Sequence, residues 1–151
     1  MKVWMLAAGV VLAIGTAGAA MAQGDVIAER RAGLRGLGQG MQAFNQAIQQ
    51  RGDTRALAPR VDEMIAFVRT LPTRVPTASL TPPVAQGTQD GQTRALAVID
   101  TGRADFAMRA TNMVALLEGL KTAALAGTVT ADTMRVTSDG CTACHNTYRA
   151  R

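Results

Sequence analysis

Apolar residues recur at every seventh position in two long stretches of this 151-residue chain, and that spacing leaves little room for anything but helices. In the first stretch Ile27, Leu34, Met41 and Ile48 are seven apart, with Leu37 and Phe44 three positions after members of the series. In the second, Ile99, Phe106, Met113 and Leu120 repeat by seven, accompanied by Ala110, Leu117 and Ala124. Such stripes pack helix against helix. They predict a first helix over about 25–50, broken by Gly52-Asp53, and a third over about 92–126, closed by Gly127. Between them, Leu57, Val61, Met64, Ile65, Val68 and Leu71 make one face of a second helix within 54–71, with Pro59 in its first turns and Pro72 at its end. A fourth begins near Thr130 to Asp132, good N-cap types, with Met134, Thr137, Cys141, Cys144 and Tyr148 inward. Nothing alternates with period two, so no strands are expected. Residues 72–91 hold Pro72, Pro76, Pro82 and Pro83 with Gly87 and Gly91. They read as one long crossing loop between helices 2 and 3. The fold class is therefore all-α, an antiparallel four-helix bundle.

Two features of helix 1 do not suit a plain core. Gly33, Gly36, Gly38 and Gly40 each cost about 1 kcal/mol against Ala in a helix interior, though glycine also admits a close neighbour. Running the Leu37–Phe44 series back by seven lands on Arg30, a cation in line with the inner stripe. A buried guanidinium needs an anion, and a carboxylate can meet it with both oxygens; an acid on another helix would serve as well.

The N-terminal segment stands apart. Lys2 precedes a short apolar run over 3–15, and Ala20-Met21-Ala22 offers small residues where a signal peptidase cuts. Residues 1–22 are expected to be a secretory signal and 23–151 the exported domain, periplasmic and without a membrane anchor after cleavage; the run is short for a spanning helix of about 20 residues. The mature chain would carry 15 basic and 11 acidic residues, a formal +4, with arginines scattered and aromatics only 3% of residues. That distribution lacks the basic stripe of a nucleic-acid binder.

The chemistry is concentrated near the C-terminus. Cys141-Thr142-Ala143-Cys144-His145 has the spacing of a c-type haem attachment site. On a helix, i and i+3 share a face, so both sulfurs can reach two vinyl groups along one porphyrin edge. The imidazole that follows can ligate the iron. A redox disulfide of the thioredoxin type would need a βαβ context, and structural zinc would need four Cys or His ligands where the chain has two Cys and one His. One covalent haem c with iron is the expected cofactor. With a single His, bis-His ligation is excluded within one chain. Of the mature-chain methionines, Met41, Met64, Met108, Met113 and Met134, most are expected to fill core. No nucleophile–base pair stands out, so an enzyme is not expected.

A haem site at the end of a four-helix chain resembles cytochrome c prime, the class II c-type cytochromes. The ending Cys141 to Arg149 is similar to that family's haem helix, and Val26 to Gly38, with Arg30, Arg31 and Leu34, is similar to its first helix. The resemblance implies that Arg30, and next to it Arg31, lie on the propionate side, that Leu34 covers the distal face, and that Tyr148 and Arg149 flank the proximal side. Low-spin members place a ligating Met where this chain has Leu34, so the resemblance favours five-coordinate, high-spin iron. It further implies electron transfer with a redox partner protein, binding of NO or CO, and a homodimer. The alternatives are a low-spin, Met-ligated carrier and a haem-free periplasmic interaction bundle. Asn146 stands where the family typically has an acidic residue, and Asp100 or a neighbour lies where a Trp is often found.

Overall fold

The computed structural model describes residues 15–80, 84 and 91–151, with side chains from residue 25 onward. The apolar run of the expected export segment and much of the proline-rich loop, Pro82, Pro83 and Gly87 included, lie outside the described residues. Four long helices form the body: α1 (Gly15–Gln49), α2 (Ala58–Thr70), α4 (Arg103–Ala126) and α5 (Ala131–Tyr148), with a single-turn α3 (Val98–Thr101) ahead of α4. α1 packs on α2, α2 on α4, α4 on α5, and α5 returns to α1, which closes an all-α bundle. No described helix is long and apolar enough to cross a membrane.

The stripes behave as their spacing requires. Ile27 and Phe44 of α1, Val61 and Val68 of α2, and Leu117 and Leu120 of α4 are all buried. Each such side chain contributes about 1.5–3 kcal/mol by leaving water. Phe44, Val61, Met64, Leu117, Ala124 and Met134 belong to the main core. A second cluster, Val75, Ile99, Phe106 and Tyr148, lies where α4 begins and α5 ends, and Cys144 packs against it.

α1 starts well ahead of Asp25, in an alanine-rich stretch of good helix formers. Its glycines divide by face. A β-carbon at Gly33 would overlap the Phe67 ring, and one at Gly40 would stand 2.5 Å from Met64 Sδ. These two let α2 come close. Gly36 and Gly38 have nothing within 4 Å; their presence has no structural account.

The helix ends follow local chemistry. Pro59 sits in the first turn of α2. Pro72, lacking an N–H, stops the α ladder, and the path tightens into a 3₁₀ turn over Leu71–Arg74. Gly127 closes α4 at φ +69°. Thr130 caps α5 in a capping box with Thr133.

The expected third helix over 92–126 is corrected by the structure: it is interrupted at Gly102, and residues 92–97 are not helical. The backbone groups of 93–96 pair elsewhere. Thr93 O accepts from Val84 N at 3.0 Å, Leu96 N donates to Tyr148 O at 3.0 Å, and Ala150 N donates to Arg94 O at 2.8 Å. Ala95 and Arg149 form an isolated antiparallel bridge. Gly102 lies against Tyr148, whose hydroxyl would be 3.0 Å from a β-carbon there. The residues following α5 thus displace the first turns of the anticipated helix.

Candidate haem site

The site is built on the last two turns of α5. Gly140 brings α5 close to α4, for a β-carbon there would overlap Leu116 Cδ1. One residue later Cys141 Sγ lies 3.9 Å from Met113 Sδ of α4. Cys144, one turn on, packs against the Phe106–Tyr148 cluster. Both cysteines are half-buried and neither is in a disulfide. Burial pushes both thiols above their ordinary range, a shift that Arg109 opposes at Cys144. His145 lies on the exposed side of α5. Partial desolvation, then the charges of Arg149 and Arg94, hold its imidazole below the usual histidine value. The neutral form, the one that binds a metal, is therefore favoured.

The structure adds a clasp between α4 and α5 that the motif alone did not announce. Tyr148 Oη donates to Asp105 Oδ2 at 2.6 Å and to the Gly102 carbonyl at 3.4 Å. Arg109 Nε donates to the same Asp105 oxygen at 2.6 Å, and its Nη1 reaches the carbonyl of Ala143, between the two cysteines, at 3.0 Å. The Arg109 guanidinium also lies over the Tyr148 ring, 5.7 Å from its centroid. Phe106 meets that ring edge-on at 5.1 Å. The hydrogen bond from Tyr148 and then that from Arg109 hold the Asp105 carboxyl below the ordinary carboxylate range. An Asp and an Arg four apart on a helix were visible signals; that they meet the haem helix was not.

On α1, Arg30 is 3% exposed, as its place on the inner stripe predicts. Its partners within the chain are uncharged. Nη1 donates to Arg74 O at 3.1 Å and Ser79 Oγ at 2.9 Å; Nη2 donates to Thr93 Oγ1 at 2.8 Å and Ser79 O at 3.4 Å. Both arms that a bidentate carboxylate would use are engaged by the α2–α3 connection. All four acceptors are uncharged, and burial lowers the guanidinium's pKa. Arg31 is half-buried. Glu29, off the stripe, pairs with Arg74 at 2.8 Å. Leu34 is the exception on its stripe: it lies between Arg30 and Phe44 yet is 39% exposed.

Tyr148 is buried and Arg149 exposed, both at the His145 end of α5. Arg94, which no motif marked, is brought beside them by the pairing with the tail: its Nε and Nη2 donate to Ala150 O at 3.1 and 2.6 Å. Ser79 and Thr93 also escaped the sequence, since nothing local ties them to a residue 49 or 63 positions away.

This donor set fits a c-type haem. Two free thiols stand one helical turn apart on a half-buried face, an imidazole follows, and the buried Arg30 has only uncharged partners among the described residues. No group of three or more His, Cys, Asp or Glu able to hold a bare metal ion exists among those residues. A family model described as Cytochrome C' matches residues 25–149. No curated protein and no solved structure matches the chain.

Proposed function

Because the chain belongs to the cytochrome c′ family, whose members are class II c-type haem proteins, we propose that it carries one haem c, bound through Cys141 and Cys144 and ligated by His145, and that it exchanges single electrons and binds NO or CO. The observation that carries this reading is the pair of free, half-buried thiols on α5 followed directly by the exposed imidazole of His145. When bound, the haem supplies one-electron chemistry and an iron position for a diatomic ligand. The chain's own residues do the rest. The two sulfurs tie the group to a helix that Gly140 and Arg109 hold against α4. Leu34, apolar and uncovered on the inner stripe, guards the distal side against water and anions and leaves the iron five-coordinate and high-spin. Arg30, with Arg31 beside it, places positive charge on the propionate side; Tyr148 and Arg149 flank the proximal side.

The reading includes export to the periplasm with cleavage after Ala22, and a homodimer. Intact mass of the secreted protein and sedimentation test these two points. The central claim is tested by acid-acetone extraction and by absorption spectra of the oxidised, reduced and CO-treated forms. Haem should stay with the wild-type chain and become extractable after Cys141→Ala with Cys144→Ala. Fully covalent haem in that double variant, or no Soret band in the wild type after expression with the haem-attachment machinery, would overturn it. A second reading, a low-spin carrier, gains one observation: Met113 touches Cys141 at 3.9 Å. A sulfur-to-iron band in the red of the oxidised spectrum would decide for it.

A further inference from the structure

The two cysteines of α5 have different surroundings. Cys141 Sγ meets Met113 Sδ at 3.9 Å, an uncharged neighbour. Cys144 packs on the Phe106–Tyr148 cluster, and the Arg109 guanidinium lies over that Tyr148 ring, 5.7 Å from its centroid. Arg109 is held from two sides, by Asp105 Oδ2 at 2.6 Å and by the Ala143 carbonyl at 3.0 Å. Asp105 is held in turn by Tyr148 Oη, which donates to the same oxygen at 2.6 Å. Two opposite charges are thus fixed against the turn of α5 that joins the cysteines. Both are felt at the Cys144 sulfur. Burial is the main influence on that thiol; beyond it, Arg109 draws its pKa down and Asp105 pushes it up. At Cys141 the influences are burial and a backbone hydrogen bond.

We propose that Arg109 and Asp105 tune the haem's potential, Arg109 as the cation at the Cys144 edge and Asp105 as the positioning residue that holds and balances it. This rests on the haem and electron-exchange reading above. A reduced haem carries one positive charge fewer than an oxidised one. An unbalanced cation beside it therefore favours the reduced state, and an unbalanced carboxylate the oxidised state. A matched pair leaves the couple nearly where a neutral surface would. The Arg109 and Asp105 side chains are 30% and 39% exposed, so solvent screens part of each charge, and removing one should act severalfold rather than over decades. Joining α4 to α5 would not by itself need charge, since a neutral hydrogen bond links helices as well. The two roles differ in sign, which makes them separable.

The test is a mediated redox titration of the holoprotein, reduced by dithionite and reoxidised by hexacyanoferrate(III), one electron per haem, followed in the Soret region. At a poise fixed at the wild-type midpoint, Asp105→Asn should raise the reduced-to-oxidised ratio about fourfold, and Arg109→Gln should lower it about fourfold. The two together should return it to within about twofold of wild type, because a neutral pair then replaces a balanced one. Arg109→Lys, which keeps the charge but not the fork, should hold the wild-type ratio. Asp62→Asn unpairs Lys121, which lies about 18 Å further along α4, and should change the ratio far less. At 1 M salt the shifts of the single variants should shrink, since screening then acts over about 3 Å. A clasp without an electrostatic role would move both single variants the same way and the double variant furthest. That pattern, an unchanged ratio in both single variants, or an equal shift in Asp62→Asn would overturn the tuning role while electron exchange stands. If Arg109→Gln yields no holoprotein, Asp105→Asn alone decides: a ratio that falls or stays put overturns the proposal. A wild-type haem that takes up no electron would instead overturn the electron-exchange reading, and the tuning role with it.

Discussion

Replacing Arg30 with Met keeps most of the side-chain volume and removes the charge with four hydrogen bonds, three of them at 2.8–3.1 Å and one at 3.4 Å. Bonds from a charged donor contribute about 1.5–3 kcal/mol each, so the three good ones amount to roughly 6 kcal/mol. Against this stands the cost of keeping a guanidinium out of water without a counter-ion, several kcal/mol. The groups left behind decide the balance. Ser79 Oγ still donates to Pro76 O at 2.8 Å, and Thr93 Oγ1 still accepts from Ala95 N at 3.0 Å. Only the Arg74 and Ser79 carbonyls lose a partner, at about 1 kcal/mol or more each. A net destabilisation of about 3 kcal/mol follows, which for a domain of this size lowers Tm by about 10 °C. Thermal unfolding of the holoprotein followed by far-UV circular dichroism measures it, and limited proteolysis should cut the α2–α3 connection faster. Arg30→Lys, which keeps charge but not the fork, should fall between. Removing the cation should also lower the haem's midpoint potential, since nearby positive charge favours the reduced state. A Met variant melting within about 2 °C of wild type would refute the clasp.

Further outcomes follow from the same geometry. Gly38→Ala should stabilise by about 1 kcal/mol because nothing crowds it, whereas Gly33→Ala should destabilise, since overlap with the Phe67 ring costs about 1–3 kcal/mol; equal melts for the two would contradict the α1–α2 packing. Leu34→Met should push the iron toward low spin, and an unchanged high-spin spectrum would refute the register that puts Leu34 over the distal face. Asp105 has its folded pKa depressed, first by Tyr148 and then by Arg109. Its contribution is present above the unfolded value near pH 4 and is lost as pH falls through the lower folded value. Tyr148→Phe should therefore flatten stability against pH on the acid side, and an unaltered slope in chemical unfolding would show the hydroxyl to be inert.

The bundle was legible because its information is local. A seven-residue stripe names its own buried face, and Phe44, Leu117 and Ile99 obey it. Thr130 and Gly127 mark ends because capping needs only the adjoining turn. The Cys141–His145 spacing points to its chemistry for the same reason: i, i+3 and i+4 share a helix surface whatever surrounds them. Arg30 too was placed correctly by period, while the loop acceptors that hold it within the chain were not foreseen. What escaped is non-local. Gly102 breaks a helix because Tyr148, 46 residues on, presses against it and takes a bond to its carbonyl, and residues 93–96 have no pattern that reveals a tail for them to pair with. The same pairing draws Arg94 to His145, and the Asp105–Arg109 pair gains its role only when α5 lies beside α4. In each case one side chain's chemistry was readable and its partner's address was not. A buried cation on a core stripe requires acceptors, and here carbonyls and hydroxyls from a connection folded over Arg30 supply four of them, none carrying a charge, so the guanidinium keeps its full positive charge for an anion the site receives.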